Sequence, residues 1–360
     1  MRCIAIFTAS LVGFFFGPLI LASAQVARES GAAPTGSTSQ VTRLEVSRDT
    51  WVSEVGQEAD GNNGGAPRLK LKSIQEMTLI DVDPASLRGR AIAAAALHLK
   101  SAGDPPLRRV TVGGIGAQWF EGSGSGYAQQ AGGATFRHRR HPDLPWSIAR
   151  PGGDLCHVIL GNGGTNWGMA DATPPDGDGW QSIPINPAVL AARAAGLSHG
   201  LLVFDDTGSE WTHQGDRFQL RIFPNRFVYS REQNRASAPF LTVTLGPEDR
   251  EPPAAPTSLT SESRDLAPGE AIVSWVTPRD QGPASTLGFM ATLAGRPIPR
   301  ELIPLAGLPG TRVEMHVRDL GLGQASSAVV AVKAVDGAGN LGPAATATVR
   351  FLGKPQYRSS

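Results

Sequence analysis

The chain has 360 residues, with 33 Lys or Arg and 32 Asp or Glu, and its formal net charge of +1 becomes zero once an arginine-containing leader is removed. A neutral chain does not favour nucleic acid as a partner through net charge. Because it has 43 glycines, 28 prolines and only 18% charged residues, frequent turns and few long charged helices are expected, which predicts an all-β fold.

The N-terminus has the pattern of a secretory signal peptide at residues 1–24. Arg2 is followed by an apolar run at 4–21 and by small residues at 22–24. The alternative is a membrane anchor, which Pro18 and the small residues disfavour. The sequence therefore predicts an exported protein, secreted or at the cell surface, with no transmembrane segment after signal removal. Cys156 is then the one cysteine, so we expect the core and not a disulfide to hold the fold.

Two stretches of linker composition divide the mature chain. Residues 25–40 are small and polar, which is typical of a flexible linker. A Pro-rich linker is expected at 247–253, since proline removes the backbone donors that a strand needs. The predicted modules are 41–246 and 254–353, followed by a tail at 354–360.

The apolar residues of the first module mostly alternate, which predicts half-buried strands at 69–73, 109–112 and 240–245. The Ala-rich segment 91–100 has helical composition but ends in an alternating pattern, so a strand is expected there too. One short helix is predicted at 187–195, because Pro187 suits its first turn and Gly196 its end.

The second module carries a more specific pattern. A strand at 271–275 ends in Trp275, and later strands are expected at 312–320 and 329–335, followed by the Asp336 to Asn340 turn. The stretch 254–353 resembles a fibronectin type III domain, with Trp275 in the core and Leu320 before the sixth strand. It departs from that family at Ser327 and Ala328, where a Tyr is usual. The resemblance implies an immunoglobulin-like sandwich that acts as a spacer or adhesive module.

The first module holds six of the seven tryptophans. Two of them, Trp51 and Trp180, lie in strand-like runs and are expected in the core. The others, together with Tyr127, lie among Gly, Ser, Asp and Pro, where an aromatic face can stack on a sugar ring. The candidate stacking residues are Trp119, Tyr127, Trp146, Trp167 and Trp211.

A basic run at 136–141 is the densest positive segment of the chain. Arginine forks bind carboxylates in a bidentate manner, so Arg137, Arg139 and Arg140 are candidate ligands for an acidic polysaccharide such as a uronate. The alternative is a solvated loop, or a network between these arginines and acids of the same chain.

Six short motifs follow one another in the first module, at 49–52, 61–65, 95–99, 119–122, 200–204 and 238–243. Their order between 45 and 246 is similar to that of the DNRLRE-type domain, a secreted module related to carbohydrate-binding modules. The resemblance implies a jelly-roll-like β-sandwich that binds a glycan. The sequence departs from that family by a long insert at about 123–165.

Metal binding is a separate expectation. Several aspartates lie in Gly-containing loops and offer the oxygen ligands that calcium takes, so a structural calcium ion is considered, although no loop of fixed spacing is present. Zinc is disfavoured, because the seven histidines show no closed-site spacing. The aspartates considered are Asp81, Asp83, Asp171, Asp176, Asp178, Asp205 and Asp206.

The rival to a binding protein is a polysaccharide-degrading enzyme. A lyase would use Tyr127, His138 or His141, and a hydrolase would use two carboxylates such as Glu121 and Asp143. The Gly-x-Ser-x-Gly match at 122–126 precedes no apolar helix and so fails its structural context. With no catalytic signature, the sequence predicts a binding protein for a polysaccharide or cell-envelope glycan that is not an enzyme. A structural or adhesive surface protein without a specific glycan ligand is the alternative.

Overall fold

The computed structural model describes residues 40–206, 209–263, 266–318 and 327–352. The predicted signal peptide, the linker up to residue 39, Leu320 and the tail at 354–360 lie outside these ranges. Within them, no helix is both long and apolar enough to cross a membrane.

The first sandwich, from Gln40 to Glu248, is antiparallel β-structure with one α-helix in its described part, as predicted. The strands are β1 (Gln40–Ser53), β2 (Arg68–Leu71), β3 (Glu76–Val82), β4 (Arg90–Lys100), β5 (Arg109–Gly114), β6 (His138–Arg140), β7 (Leu144–Pro145), β8 (Trp167–Asp171), β9 (Trp180–Ile185), β10 (Leu201–Asp205), β11 (Ser209–Gln214), β12 (Arg217–Ile222), β13 (Arg226–Tyr229) and β14 (Phe240–Glu248), with helix α1 (Pro187–Ala194) between β9 and β10. Short 3-10 helices cover Gly56–Asp60, Ala85–Leu87, Leu155–Val158 and Asn162–Gly164.

Strand β1 belongs to both faces of this sandwich. Its first half pairs with β14, and its second half, beyond an irregularity between Val46 and Arg48, pairs with β3. The sheet order is β8-β5-β10-β3-β1-β14-β4-β9. The change of partner folds this sheet into two layers, whose inner faces enclose one core.

The core follows from the two-residue alternation of the strands. On β14 the side chains of Leu241, Val243 and Leu245 are buried while their neighbours are half-buried, and Leu97 and Leu99 of β4 meet them from the next strand. Each fully buried leucine contributes about 1.5–3 kcal/mol relative to an exposed one. The Ala-rich segment is thus a strand, as its alternating end predicts.

Helix α1 is also confirmed. Asn186 caps it by accepting a hydrogen bond from the backbone N–H of Ala188, Pro187 occupies the first turn, and Gly196 ends it with φ of 75°. Cys156 differs from expectation. It is buried in the 3-10 helix Leu155–Val158 and is not a free thiol.

The strands of the second sandwich are β15 (Thr257–Glu262), β16 (Ala271–Val276), β17 (Thr286–Leu293), β18 (Arg296–Pro297), β19 (Arg312–Val317), β20 (Ser327–Asp336) and β21 (Leu341–Arg350), with a 3-10 helix at Arg300–Leu302. They form a three-stranded sheet, β15-β16-β19, and a four-stranded sheet, β18-β17-β20-β21. Trp275 is fully buried between the two sheets and meets Phe289 edge-on at 5.1 Å, as expected of a core tryptophan.

The two sandwiches pack against each other as well as being joined by the chain. Glu301 accepts hydrogen bonds from the Ala149 backbone N–H and the Ser147 hydroxyl, and Arg300 donates to the Gly164 carbonyl. Apolar contact adds to these bonds through one shared cluster of buried side chains. Its members are Ala192, Ala195, Leu197 and Val335, with Leu287 packed against them.

Candidate functional site

Trp119 and Trp146 do not form stacking platforms. Their side chains are 0% and 1% exposed. The Trp119 Nε1–H donates to the His199 carbonyl at 2.9 Å and the Trp146 Nε1–H to the Thr135 carbonyl at 2.8 Å. The loops rich in Gly and Ser fold back over the sheet and enclose both rings. The prediction that these two residues bind a ligand is therefore wrong.

Tyr127 is half-buried and its hydroxyl is already engaged. The Lys70 ammonium donates to the Tyr127 hydroxyl at 2.7 Å and forms an ion pair with Glu76 at 2.8 Å. The Tyr127 ring meets Trp51 edge-on at 5.1 Å, and Trp51 is buried in the core, as predicted. Tyr127 thus covers a buried ion pair, which corrects its assignment as a ligand-binding residue.

The arginines of the basic run have partners within the protein. Arg137 pairs with Asp60 at 2.6 Å and Arg140 with Asp143 at 2.7 Å, while Arg139 donates to two backbone carbonyls. The alternative of an internal network is the one observed. These groups are therefore not free forks for a ligand carboxylate.

Trp167, one of the predicted stacking residues, has an exposed side chain. Its side chain is 42% exposed, on β8 at one end of the large sheet. Exposure alternates along β8, so Trp167, Met169 and Asp171 share the outward face. Trp211 lies on β11, but its side chain is outside the described part of the chain.

A cleft of about 860 Å³ runs beside β8. Met169 and Asp171 line it. Trp167 lies on the same outward face of β8, about 13 Å along the strand from Asp171. The remaining lining comes from the segment before β5, the proline-containing turn after β8, and the ends of β10 and β12. It includes Arg108, Arg109, Pro174, Pro175, Asp206 and Phe223.

Arg108 and Arg109 give this cleft two exposed guanidinium groups. Arg109 lies opposite Asp171 in the β5–β8 pairing. Neither guanidinium forms a hydrogen bond or ion pair with any residue that the structure describes. Two such forks among the residues that line one cleft are suited to a carboxylate, which arginine binds with paired N–H donors.

Asp206 lines the cleft, and the buried Asp205 precedes it in the chain. The Asp205 carboxylate accepts a hydrogen bond from the Arg108 backbone N–H at 3.0 Å, and Asp206 accepts one from the Thr111 hydroxyl at 2.9 Å. Burial, with Asp205 nearby, raises the pKa of Asp206. The second carboxylate oxygen of Asp206 is buried and, among the described residues, has no donor.

Sequence reasoning missed Arg108 and Arg109. The signal available was two adjacent arginines at the start of a strand, where one of any two neighbours points outward. The ligand-binding prediction was made for the longer basic run at 136–141 instead. Asp60, the acid that pairs with Arg137 in that run, lies 77 positions away, so no local pattern indicated the pairing.

The aspartates considered for calcium do not converge. Asp81 lies between Arg48 and Arg193, and the Asp176 carboxylate accepts backbone N–H groups within its own turn. Acids and histidines do come together elsewhere among the described residues, and calcium binding stays a prediction. Three groups have ligand atoms within 4.8 Å of one another: Asp60, His138 and His141; Asp49, Glu121 and Glu232; and Asp249, Asp280 and Asp336.

The two hydrolase candidates from the sequence are held by arginines. Glu121 receives both a bidentate contact from Arg231 and the Asp49 backbone N–H, and Asp143 pairs with Arg140. Neither carboxylate is therefore placed as a free acid or base.

Asp49 provides a pH-dependent contribution to stability. The carboxyl is fully buried and accepts the Arg231 backbone N–H at 3.0 Å. Burial, followed by a hydrogen bond with Glu232, raises the pKa of Asp49 to about 8. The unfolded state ionises near pH 4 while the folded state keeps its proton, so stability is lost as pH rises from about 4 to 8. We expect Asp49→Asn to remove this loss and to stabilise the protein at pH 8 by on the order of 2 kcal/mol, with little effect at pH 4.

Urea unfolding of wild type and Asp49→Asn between pH 4 and 8 measures this difference. Asp178→Asn, at an exposed turn position, makes the same chemical change and should follow the wild-type pH profile. Parallel profiles for Asp49→Asn and wild type would contradict the assignment.

No family model and no curated protein matches the chain. Similar solved structures include the spore cortex lytic enzyme SleM of Clostridium perfringens, at 17% identity and TM-score 0.21, over 32% of this chain and 33% of that one. The glycoside hydrolase domain of Endo-D from Streptococcus pneumoniae is 12% identical with TM-score 0.22, over 86% and 37%. The beta-D-glucuronidase of Dictyoglomus thermophilum is 9% identical with TM-score 0.18, over 89% and 45%.

The chain thus spans a third to somewhat under half the length of these structures. All three are named as enzymes, and two are named for glycoside or glucuronide substrates. The prediction that the chain is not an enzyme is corrected by this finding. The lack of a signature in the sequence is no basis for excluding a reaction.

Proposed function

We propose that the first sandwich binds an acidic oligosaccharide in the cleft beside β8. The observation that carries the proposal is a cleft lined by the guanidinium groups of Arg108 and Arg109, which have no side-chain partner among the residues that the structure describes. The exposed ring of Trp167 lies on the same strand face as the lining residues Met169 and Asp171. The ligand would come from a polysaccharide or cell-envelope glycan outside the cell, in keeping with the predicted export signal.

Each group in the cleft has a defined part in such binding. The exposed face of Trp167 offers a surface for the C–H face of a sugar ring. Arg108 and Arg109 match a uronate carboxylate. Apolar contact from Met169 and the prolines 174–175 completes the wall.

The second sandwich is proposed to act as a fibronectin type III-like spacer. The three-on-four arrangement of its sheets and the buried Trp275 support this resemblance. Its close packing on the first sandwich would hold the cleft in a fixed orientation relative to the rest of the chain.

The proposal predicts binding losses for two substitutions in the full chain. Arg109→Gln removes one fork and should weaken binding of an oligogalacturonate at least tenfold, or about 1.4 kcal/mol. Trp167→Ala removes the stacking surface and should weaken binding by a similar factor. Isothermal titration at low and high salt measures both effects, and salt should weaken wild-type binding because the contacts are charged.

Matched controls lie outside the cleft. Arg235→Gln makes the same charge change at an exposed position, and Leu308→Ala removes a side chain that is 78% exposed in the second sandwich. Both should bind like wild type. Equal binding by Arg109→Gln and Trp167→Ala, or no binding of any acidic glycan by the wild type, would favour a structural surface protein instead.

A further inference from the structure

His138 and His141 face each other beside Asp60, away from the proposed glycan cleft residues. The two Nδ1 atoms are 3.5 Å apart, and a carboxylate oxygen of Asp60 lies within 4.8 Å of both ligand nitrogens. A good hydrogen bond between two nitrogens is shorter, at about 2.7–3.2 Å. Any hydrogen bond between the two rings is therefore long and weak.

The spacing matches that of ligands around zinc. Two nitrogens at about 2.0–2.1 Å from a tetrahedral metal are about 3.3–3.4 Å apart. We propose that Asp60, His138 and His141 bind one zinc ion, with the fourth position left to water or a ligand atom. Two imidazoles and one carboxylate are a donor set that favours zinc over calcium, which takes oxygen ligands.

Hydrogen bonds of the backbone fix the positions of the two histidines without a metal. The His141 N–H donates to the Gly133 carbonyl, and Thr135 and His138 exchange two hydrogen bonds of 2.8 and 3.0 Å. Trp146, fully buried, fixes the same hairpin through the Thr135 carbonyl. A preorganised pair of ligands loses little conformational freedom on binding.

The carboxylate is fixed by a separate set of contacts. Asn62, two residues after Asp60, is fully buried and donates to the Ala134 carbonyl at 2.9 Å, which ties the Asp60 segment to the histidine hairpin. Arg137 binds one oxygen of Asp60 at 2.6 Å and orients it, leaving the other oxygen for the metal. The three ligand residues are half-buried, so an ion can reach them.

Zinc titration of the untagged, chelator-treated full chain tests the site. Calorimetry should show one zinc ion per chain, and addition of Co²⁺ should give the visible absorption of a four-coordinate site. His141→Ala and Asp60→Asn should each weaken zinc binding at least tenfold. His316→Ala, at an exposed position in the second sandwich, should leave it unchanged.

Melting temperatures in chelator show whether each variant folds like the wild type. If His141→Ala does not fold, the near-isosteric Asp60→Asn decides the question. The proposal is overturned if the wild type binds no zinc, if neither variant weakens binding, or if excess Ca²⁺ displaces the metal. Oligogalacturonate binding does not depend on these residues, so the two proposals fail separately.

Discussion

Asp81→Ala is expected to lower the free energy of unfolding by about 3–5 kcal/mol, because it leaves two guanidinium groups without their shared partner. Asp81 is 4% exposed and binds Arg48 at 2.8 Å and Arg193 at 2.7 Å. These bonds tie β1, β3 and helix α1 together. Urea unfolding with a common slope for wild type and variant gives the difference.

Asp178→Ala is the matched control, since it removes an exposed aspartate and should cost under about 0.5 kcal/mol. Arg48→Ala and Arg193→Ala should each cost less than Asp81→Ala, because Asp81 then keeps one arginine. A cost below about 1 kcal/mol for Asp81→Ala would show that the network adds little to stability.

Trp119→Ala is expected to destabilise the protein by about 3–5 kcal/mol, through loss of a fully buried ring and the cavity that remains. Gly200 approaches the indole so closely that a Cβ there would lie 3.0 Å from Nε1, so the surroundings have little room to collapse. Thermal and urea unfolding measure the loss.

Trp167→Ala is the paired control, because that ring is 42% exposed and its removal should cost under about 1 kcal/mol. The two variants separate folding from binding within one residue type. Wild-type stability of Trp119→Ala would contradict the buried position of the Trp119 ring. Because Arg48, which binds Asp81, also stacks over the Trp119 ring at 4.3 Å from its centroid, the losses from Asp81→Ala and Trp119→Ala should also be less than additive.

Local patterns predicted much of the fold. Alternation placed β4, β5 and β14, and the proline and glycine at its ends placed α1, because these features depend on neighbours in the sequence. The role of Trp275 followed equally from a strand pattern. Residues 115–137 could not be placed in this way, since they contain no strand and are held by distant contacts.

The candidate site was predictable only in part. Trp167 was identified because it stands in a polar context that remains open after folding. Trp119 and Trp146 have the same local composition but are enclosed by His199 and Thr135 segments that no local pattern connects to them. The partners of Arg137 and of the two histidines are likewise distant in sequence, so neither the ion pair nor the Asp60 cluster could be read from spacing.

The contact between the two sandwiches limits where the chain can be truncated. A fragment ending before residue 250 would expose Leu197 and Ala195 of the shared cluster and would leave Ser147 and Ala149 without Glu301. A newly bared apolar face promotes self-association. We therefore expect the first sandwich to depend on its contact with the second. A fragment truncated at the proline-rich segment is expected to self-associate through the exposed apolar side chains.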